Sequence, residues 1–178
     1  MAASTLSITE NLHDLIREFA DLLWAEIQPD TPSPILLGIP TRGAILAQRV
    51  VDLWKEKSFP TPTVAQIDIT FHRDDYGRYL PKAHPTSLID SVEARHIILI
   101  DDIFHTGRTA RAALEAIHAL GRPASVRLAV LIDRGGHQLP IRPDIVARVI
   151  SLPENLKIRI KMNEIDSEDA IRLISVSS

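Results

Sequence analysis

Cysteine is absent from the 178 residues, which removes disulfides, thiolate zinc sites, iron–sulfur clusters and a cysteine nucleophile together. Aromatic residues make up only 4%, so the core has to be aliphatic. No window approaches the roughly 18 apolar residues of a membrane span, and the first ten residues carry neither a basic start nor an apolar run. The expected location is therefore the cytoplasm, with no membrane partner. Neither sign of charge dominates: 20 Lys+Arg against 23 Asp+Glu give a net −3 and a pI near 6.1, which argues against indiscriminate adhesion to nucleic acid. What remains is 45% hydrophobic and 24% charged, the balance of a soluble globular chain. Its length predicts one domain over residues 1–178, because a single core serves up to roughly 250 residues.

The order of patterns predicts an α/β fold. Ser7 and Glu10 have capping-box spacing, and Leu12, Leu15, Ile16, Phe19, Leu22, Leu23 and Ile27 then recur at helical intervals. The outer face of that helix carries Glu10, Asp14, Glu18, Asp21 and Glu26 against only His13 and Arg17. Ile35 to Ile39 is a short apolar run ending in Pro40-Thr41-Arg42-Gly43, and a second helical pattern follows. From Val64 to Phe71 the period switches to two, the mark of a half-buried strand. Residues 72–91 lose all regularity, and a loop of about that length is usually functional; Gly77 would be its hinge. Ile97 to Ile100 suits a central parallel strand, ending in Asp101-Asp102. After Thr106-Gly107-Arg108-Thr109 comes a third helix closed by Gly121, and Val126 to Ile132 forms another strand ending in Asp133-Arg134-Gly135-Gly136. Residues 157–162 alternate as an edge strand.

Three strands thus end in polar, glycine-bearing turns, and in parallel sheets ligands bind beyond the carboxyl ends of strands. The segment from Ile97 to Thr109 is the most informative. It delivers two carboxylates to a strand end and then threonine hydroxyls and backbone N–H groups to a helix N-terminus, where an anion is favoured. An aspartate pair alone more often just ends a strand; the adjoining phosphate-type turn reverses that. A ligand fitting both needs hydroxyls or a metal for the carboxylates and a phosphate for the turn, which describes a sugar phosphate. No Gly-Lys-Ser/Thr follows, so a Walker P-loop is excluded, and the seven histidines show no metal-binding spacing.

Ile97 to Thr109 resembles the phosphoribosyl-pyrophosphate (PRPP) motif of type I phosphoribosyltransferases. The segments Gly38 to Gly43, Asp68 to Asp75 and Leu131 to Asp144 are each similar to segments of the PyrR family, bifunctional pyrimidine-operon regulators and uracil phosphoribosyltransferases. Order and spacing match from about Ile35 to Asp144. The resemblance implies a type I phosphoribosyltransferase fold, a mainly parallel sheet flanked by helices with a long active-site loop. A small hood is expected mainly from about residues 134–160 with part of the N-terminal segment. It implies transfer of ribose 5-phosphate from PRPP to uracil with Mg²⁺, giving UMP and pyrophosphate, by a homodimer or higher homo-oligomer. Asp101 and Asp102 would hold the ribose hydroxyls, and His105, Thr106, Gly107, Arg108 and Thr109 the 5′-phosphate. Thr41 and Arg42 would hold pyrophosphate, Arg73 would cover it, Asp133 would serve magnesium through water, and Arg134, Gly135, His137 and Arg148 would form the hood over the base. Asp101, Asp102, Arg42 and Arg73 are the expected catalytic set.

The chain departs from the family pattern at His105, where an aromatic residue is usual, at His137, where arginine is expected, and over Ala147 to Ser151. His105 is expected to alter phosphate affinity without abolishing binding, His137 to weaken an anion or base contact, and the 147–151 stretch to bear on base choice more than on PRPP. The resemblance also implies uridine-nucleotide-dependent binding of leader RNA, against which the acidic outer face of the first helix argues, since RNA affinity rests on phosphate neutralisation. The rival expectations are an RNA-binding, nucleotide-sensing attenuator with little catalysis and a phosphoribosyltransferase for a purine base.

Overall fold

Alternate residues of the central strands face opposite ways, and the two sides of the sheet are covered by different helices. The computed structural model describes residues 5–7, 11–27, 33–69, 89, 91–153 and 155–175. Five parallel strands, β2 (Ile35–Gly38), β3 (Thr63–Gln66), β4 (His96–Phe104), β5 (Ser125–Asp133) and β6 (Ile145–Val149), run in the order β3-β2-β4-β5-β6. Ile98 and Ile100 point into a core shared with α1 (Leu12–Glu26) and α2 (Arg42–Glu56). Ile97 and Leu99 point into a second core with α3 (Arg108–Ala119). Burial on both faces is what a continuous Ile/Leu run in a central parallel strand requires.

A second sheet of three antiparallel strands has the order β1-β8-β7, made by β1 (Thr5–Ser7), β8 (Ala170–Ser175) and β7 (Leu156–Lys161). The single turn α4 (Asn163–Asp166) joins β7 to β8. Ile158, Ile160, Met162 and Ile171 sink into the α1/α2 core, so the small sheet is fastened to that side of the molecule. The expected edge-strand character of 157–162 matches β7, which lies at the rim of this sheet.

Several boundaries differ from the sequence expectation. The first helix starts at Leu12, capped by Asn11, whose Oδ1 accepts from His13 N–H at 2.8 Å. Ser7 is instead paired in β1 opposite Arg172, and Glu10 lies outside the described residues. β4 does not stop at Ile100: Asp101 pairs with Val130 and Phe104 with Asp133, so the acid pair sits inside the ladder. Within the range of about 134–160 expected for the hood, residues 145–149 form the edge strand of the main sheet. The second sheet is built from 156–175 together with β1.

The acidic stripe on α1 is not bare. Glu18 binds Arg148 of β6 through two bonds of 2.8 and 2.7 Å, Glu26 pairs with Arg127 at 2.8 Å, and Asp21 pairs with Lys57. Cations from remote parts of the chain thus offset the charge that the helix sequence shows alone. Trp54 Nε1–H donates to the Ala20 carbonyl at 3.0 Å, and Trp24 stacks on Phe59, fixing α1 against α2.

Candidate active site

The turns after β2, β4 and β5 share the carboxyl edge of the main sheet and are tied to one another. Ile39 N–H donates to the Ile100 carbonyl at 2.9 Å, joining the first turn to the residue before the acid pair. Arg134 N–H donates to the Phe104 carbonyl at 3.0 Å, joining the third turn to the end of β4. The helix α2 begins hard against this edge. A Cβ on Gly43 would lie 2.3 Å from the Ile100 carbonyl oxygen and 3.2 Å from Asp101 Cα, so only glycine allows the approach. The Pro40–Thr41 peptide is cis. Thr41 occupies the N-cap without a side-chain capping bond and is exposed.

The acid pair is half-buried. Asp101 Oδ1 accepts from Asp102 N–H at 2.9 Å, and Asp102 Oδ1 from Ile103 N–H at 3.0 Å. Burial pushes the Asp102 carboxyl up, opposed by a hydrogen bond with the Asp101 side chain and by the charge of Arg42. Arg42 therefore lies close to the pair, but its side chain is anchored away from it. Nε–H donates to the Ile160 carbonyl at 2.6 Å, and Nη2 to Asp166 Oδ2 at 2.8 Å.

On the other side of the pair, Gly107 supplies the left-handed N-cap of α3 with φ 89°, a conformation that costs a side-chain-bearing residue about 1–2 kcal/mol. The first N–H groups of α3 then face the turn. Residues 134–139 lie over it: Gln138 and Leu139 N–H donate to the Thr106 carbonyl at 3.1 and 3.2 Å, and Arg108 Nη2 donates to Gln138 Oε1 at 3.3 Å. Gly136 lies against the His105 ring. Burial first, then the charges of Arg134, His137 and Lys157, hold the His105 imidazole below its usual pKa, so it is neutral at pH 7 and can donate one hydrogen bond without adding charge.

Asp133 is buried at 8% exposure and anchors this covering segment. Its Oδ1 accepts from Gly135 N–H at 2.9 Å and from His137 Nε2 at 2.7 Å, while the His137 ring meets Phe104 edge-on. The magnesium role expected of Asp133 is left with Oδ2 alone. Among the described residues no three or more His, Asp or Glu side chains form a metal cage. The hard oxygen donors of Asp101 and Asp102 suit a Mg²⁺ ion that brings most of its ligands with a phosphorylated substrate.

The structure thus brings together Thr41, Arg42, Asp101, Asp102, residues 105–109, Asp133, Arg134, Gly135 and His137. Arg134 reaches sideways, with Nη2 donating to the Leu156 carbonyl at 3.3 Å and Nε buried without a partner among the described residues. Arg148, expected over the base, is engaged instead by Glu18 on α1. Arg73, with the loop expected over 72–91 apart from Ile89 and Ser91, lies outside the described residues. Sequence reasoning missed Asp166 and the Ile160 carbonyl, both partners of Arg42. Their only signal was the acid-rich run Asn163 to Asp169 facing two arginines seven residues apart.

A parallel sheet with an acid pair and phosphate-type turn on its carboxyl edge, plus a small second sheet, defines a phosphoribosyltransferase domain. A family model described as phosphoribosyl transferase domain matches residues 6–157. The chain belongs to the PyrR family within that class. It is 41% identical over 143 residues to the bifunctional protein PyrR of Latilactobacillus sakei, covering 78% of this chain and 80% of the relative. It is 40% identical over 150 residues to that of Thermus aquaticus, covering 83% of each. Among solved structures, the hypoxanthine phosphoribosyltransferase of Trypanosoma cruzi superposes with TM-score 0.62 at 16% identity, over 97% of this chain and 98% of that one. The HGPRT-ase of Leishmania tarentolae in complex with GMP gives 0.64 at 20%, over 100% and 99%. At such identities the structural matches speak for the fold alone.

Proposed function

We propose that the protein transfers the 5-phosphoribosyl group of PRPP to N1 of uracil, releasing UMP and pyrophosphate. The observation that carries this reading is the joining of the acid pair, the phosphate-type turn and the Thr41–Gly43 turn on one strand edge. Asp101 and Asp102 accept from the ribose 2′- and 3′-hydroxyls, residues 105–109 donate to the 5′-phosphate, and Thr41 and Arg42 face the pyrophosphate. As the bond from C1′ to pyrophosphate breaks and the bond to N1 forms, the N1 proton passes to solvent water and negative charge gathers on the leaving oxygens. Arg42 opposes that charge, and no side-chain nucleophile is needed. Asp101 and Asp102 are the residues that would hold Mg²⁺ when it is bound, and the ion would supply further neutralisation of the charge on the leaving oxygens. Asp133 and His137 hold the segment over the phosphate turn. Incubation with PRPP, Mg²⁺ and a panel of bases tests the assignment: UMP formation is expected, and turnover with purines alone overturns it.

A second activity, uridine-nucleotide-dependent binding of pyrimidine leader RNA, is favoured by the ion pairs of Glu18, Asp21 and Glu26, which offset the acidity that would repel phosphates. Gel shift with a leader RNA, with and without UMP, tests it, with tighter binding in UMP as the expected result.

A further inference from the structure

Arg42 opens α2 beside the acid pair, and one edge of its guanidinium is turned to the second sheet. Nε–H reaches the Ile160 carbonyl and Nη2 reaches Asp166, while Nη1 has no partner among the described residues. A planar fork held along one edge offers its other edge in a fixed direction. The holder is itself rigid. Asp166 is 13% exposed at its side chain, its Oδ2 also accepts from Met162 N–H at 3.0 Å, and its own N–H donates to the Met162 carbonyl at 2.7 Å. Ile160 and Met162 are fully buried, so both anchors of Arg42 rest on the core.

We propose that Asp166 is a positioning residue for the transfer reaction, gripping Arg42 from the second sheet so that its free Nη1 edge meets the pyrophosphate of PRPP. This rests on the phosphoribosyl-transfer reading. A neighbouring clamp serves as an internal control. Arg49, two turns further along α2, binds Glu164 at 2.6 Å and Asp169 at 2.8 Å across the same junction, but touches neither Arg42 nor the acid pair. If the junction mattered only for folding, breaking either clamp would act alike.

The experiment is calorimetric titration of the full chain with Mg·PRPP, Mg·pyrophosphate and UMP. Asp166→Asn keeps the size and Asp166→Ala removes the acceptor. Both are expected to weaken PRPP and pyrophosphate about tenfold or more, the effect of a lost charged hydrogen bond, with UMP binding within about twofold of wild type. Asp166→Glu restores part of the loss. The Glu164→Gln/Asp169→Asn double variant is expected to lower Tm yet leave PRPP affinity within about twofold. Unchanged pyrophosphate affinity in folded Asp166→Asn, or an equal loss in the double variant, overturns the proposal. Wild-type protein that binds no PRPP overturns instead the reading on which it rests.

Discussion

Gly43→Ala puts a single methyl group where the start of α2 meets the strand that bears the acid pair. The added carbon would lie 2.3 Å from the Ile100 oxygen, which belongs to a buried strand, against a limit of 3.0 Å that real Cβ atoms essentially respect. The helix start or the strand edge must therefore give by roughly 0.7 Å, and overpacking of this kind costs about 1–3 kcal/mol. For a domain of this size that is a fall in Tm of about 2–12 °C. Activity suffers more, because the displaced turn carries Thr41 and Arg42 away from Asp101 and Asp102, and misplacement near 1 Å costs about a hundredfold. Thermal melting followed by circular dichroism and kcat/KM for PRPP are the two readouts. A variant with wild-type Tm and activity within about threefold would refute the claim that this glycine sets the spacing of the two turns.

Asp102→Asn is expected to weaken PRPP binding in calorimetry without lowering Tm at pH 8. Burial raises the folded pKa of this carboxyl, so its ionised form costs stability as pH climbs through that value, and the amide escapes that cost; unchanged PRPP affinity would sink the assignment. Asp133→Ala leaves Gly135 N–H and His137 Nε2 without their shared acceptor and should cost about 1–3 kcal/mol, read by urea unfolding, with weaker PRPP binding as the covering segment loosens. Arg49→Ala should cost about 1 kcal/mol at pH 7, since both carboxylates it binds are partly exposed. The Arg49 hydrogen bond holds Glu164 below its usual value of 4.5, so this difference in Tm should persist above that pH and fade as the pH falls through the depressed value. Arg148→Ala is expected to leave the KM for uracil within about twofold, because its guanidinium serves Glu18; a tenfold rise would return it to the base site.

Where chemistry and structure are local, the sequence was legible. The apolar run 97–100, the turn 105–109 and the helical spacing after Arg42 each declare their element within a dozen residues. The alternation after Val64 likewise announced buried Ala65, Ile67 and Ile69, although ladder pairing ends at Gln66. Long-range pairing was not legible. Ser7 looks like a cap until β8 is available to pair with it, and Asn11 then takes the capping role. The acidity of α1 is visible in its own residues, whereas Arg127 and Arg148, which answer it, lie more than 100 positions away. Asp166 carries no motif at all; its role exists only because β7 returns the chain to the start of α2.

That return has a consequence for how the protein is made. Arg42 precedes its two anchors by 118 and 124 positions. At about 5–20 residues per second of ribosomal synthesis, roughly 6–25 s pass between their appearances. A nascent chain that has exposed all five strands of the main sheet still lacks the Ile160 carbonyl and Asp166 that grip Arg42, so on the proposed reading donor binding waits for β7 and α4 to emerge.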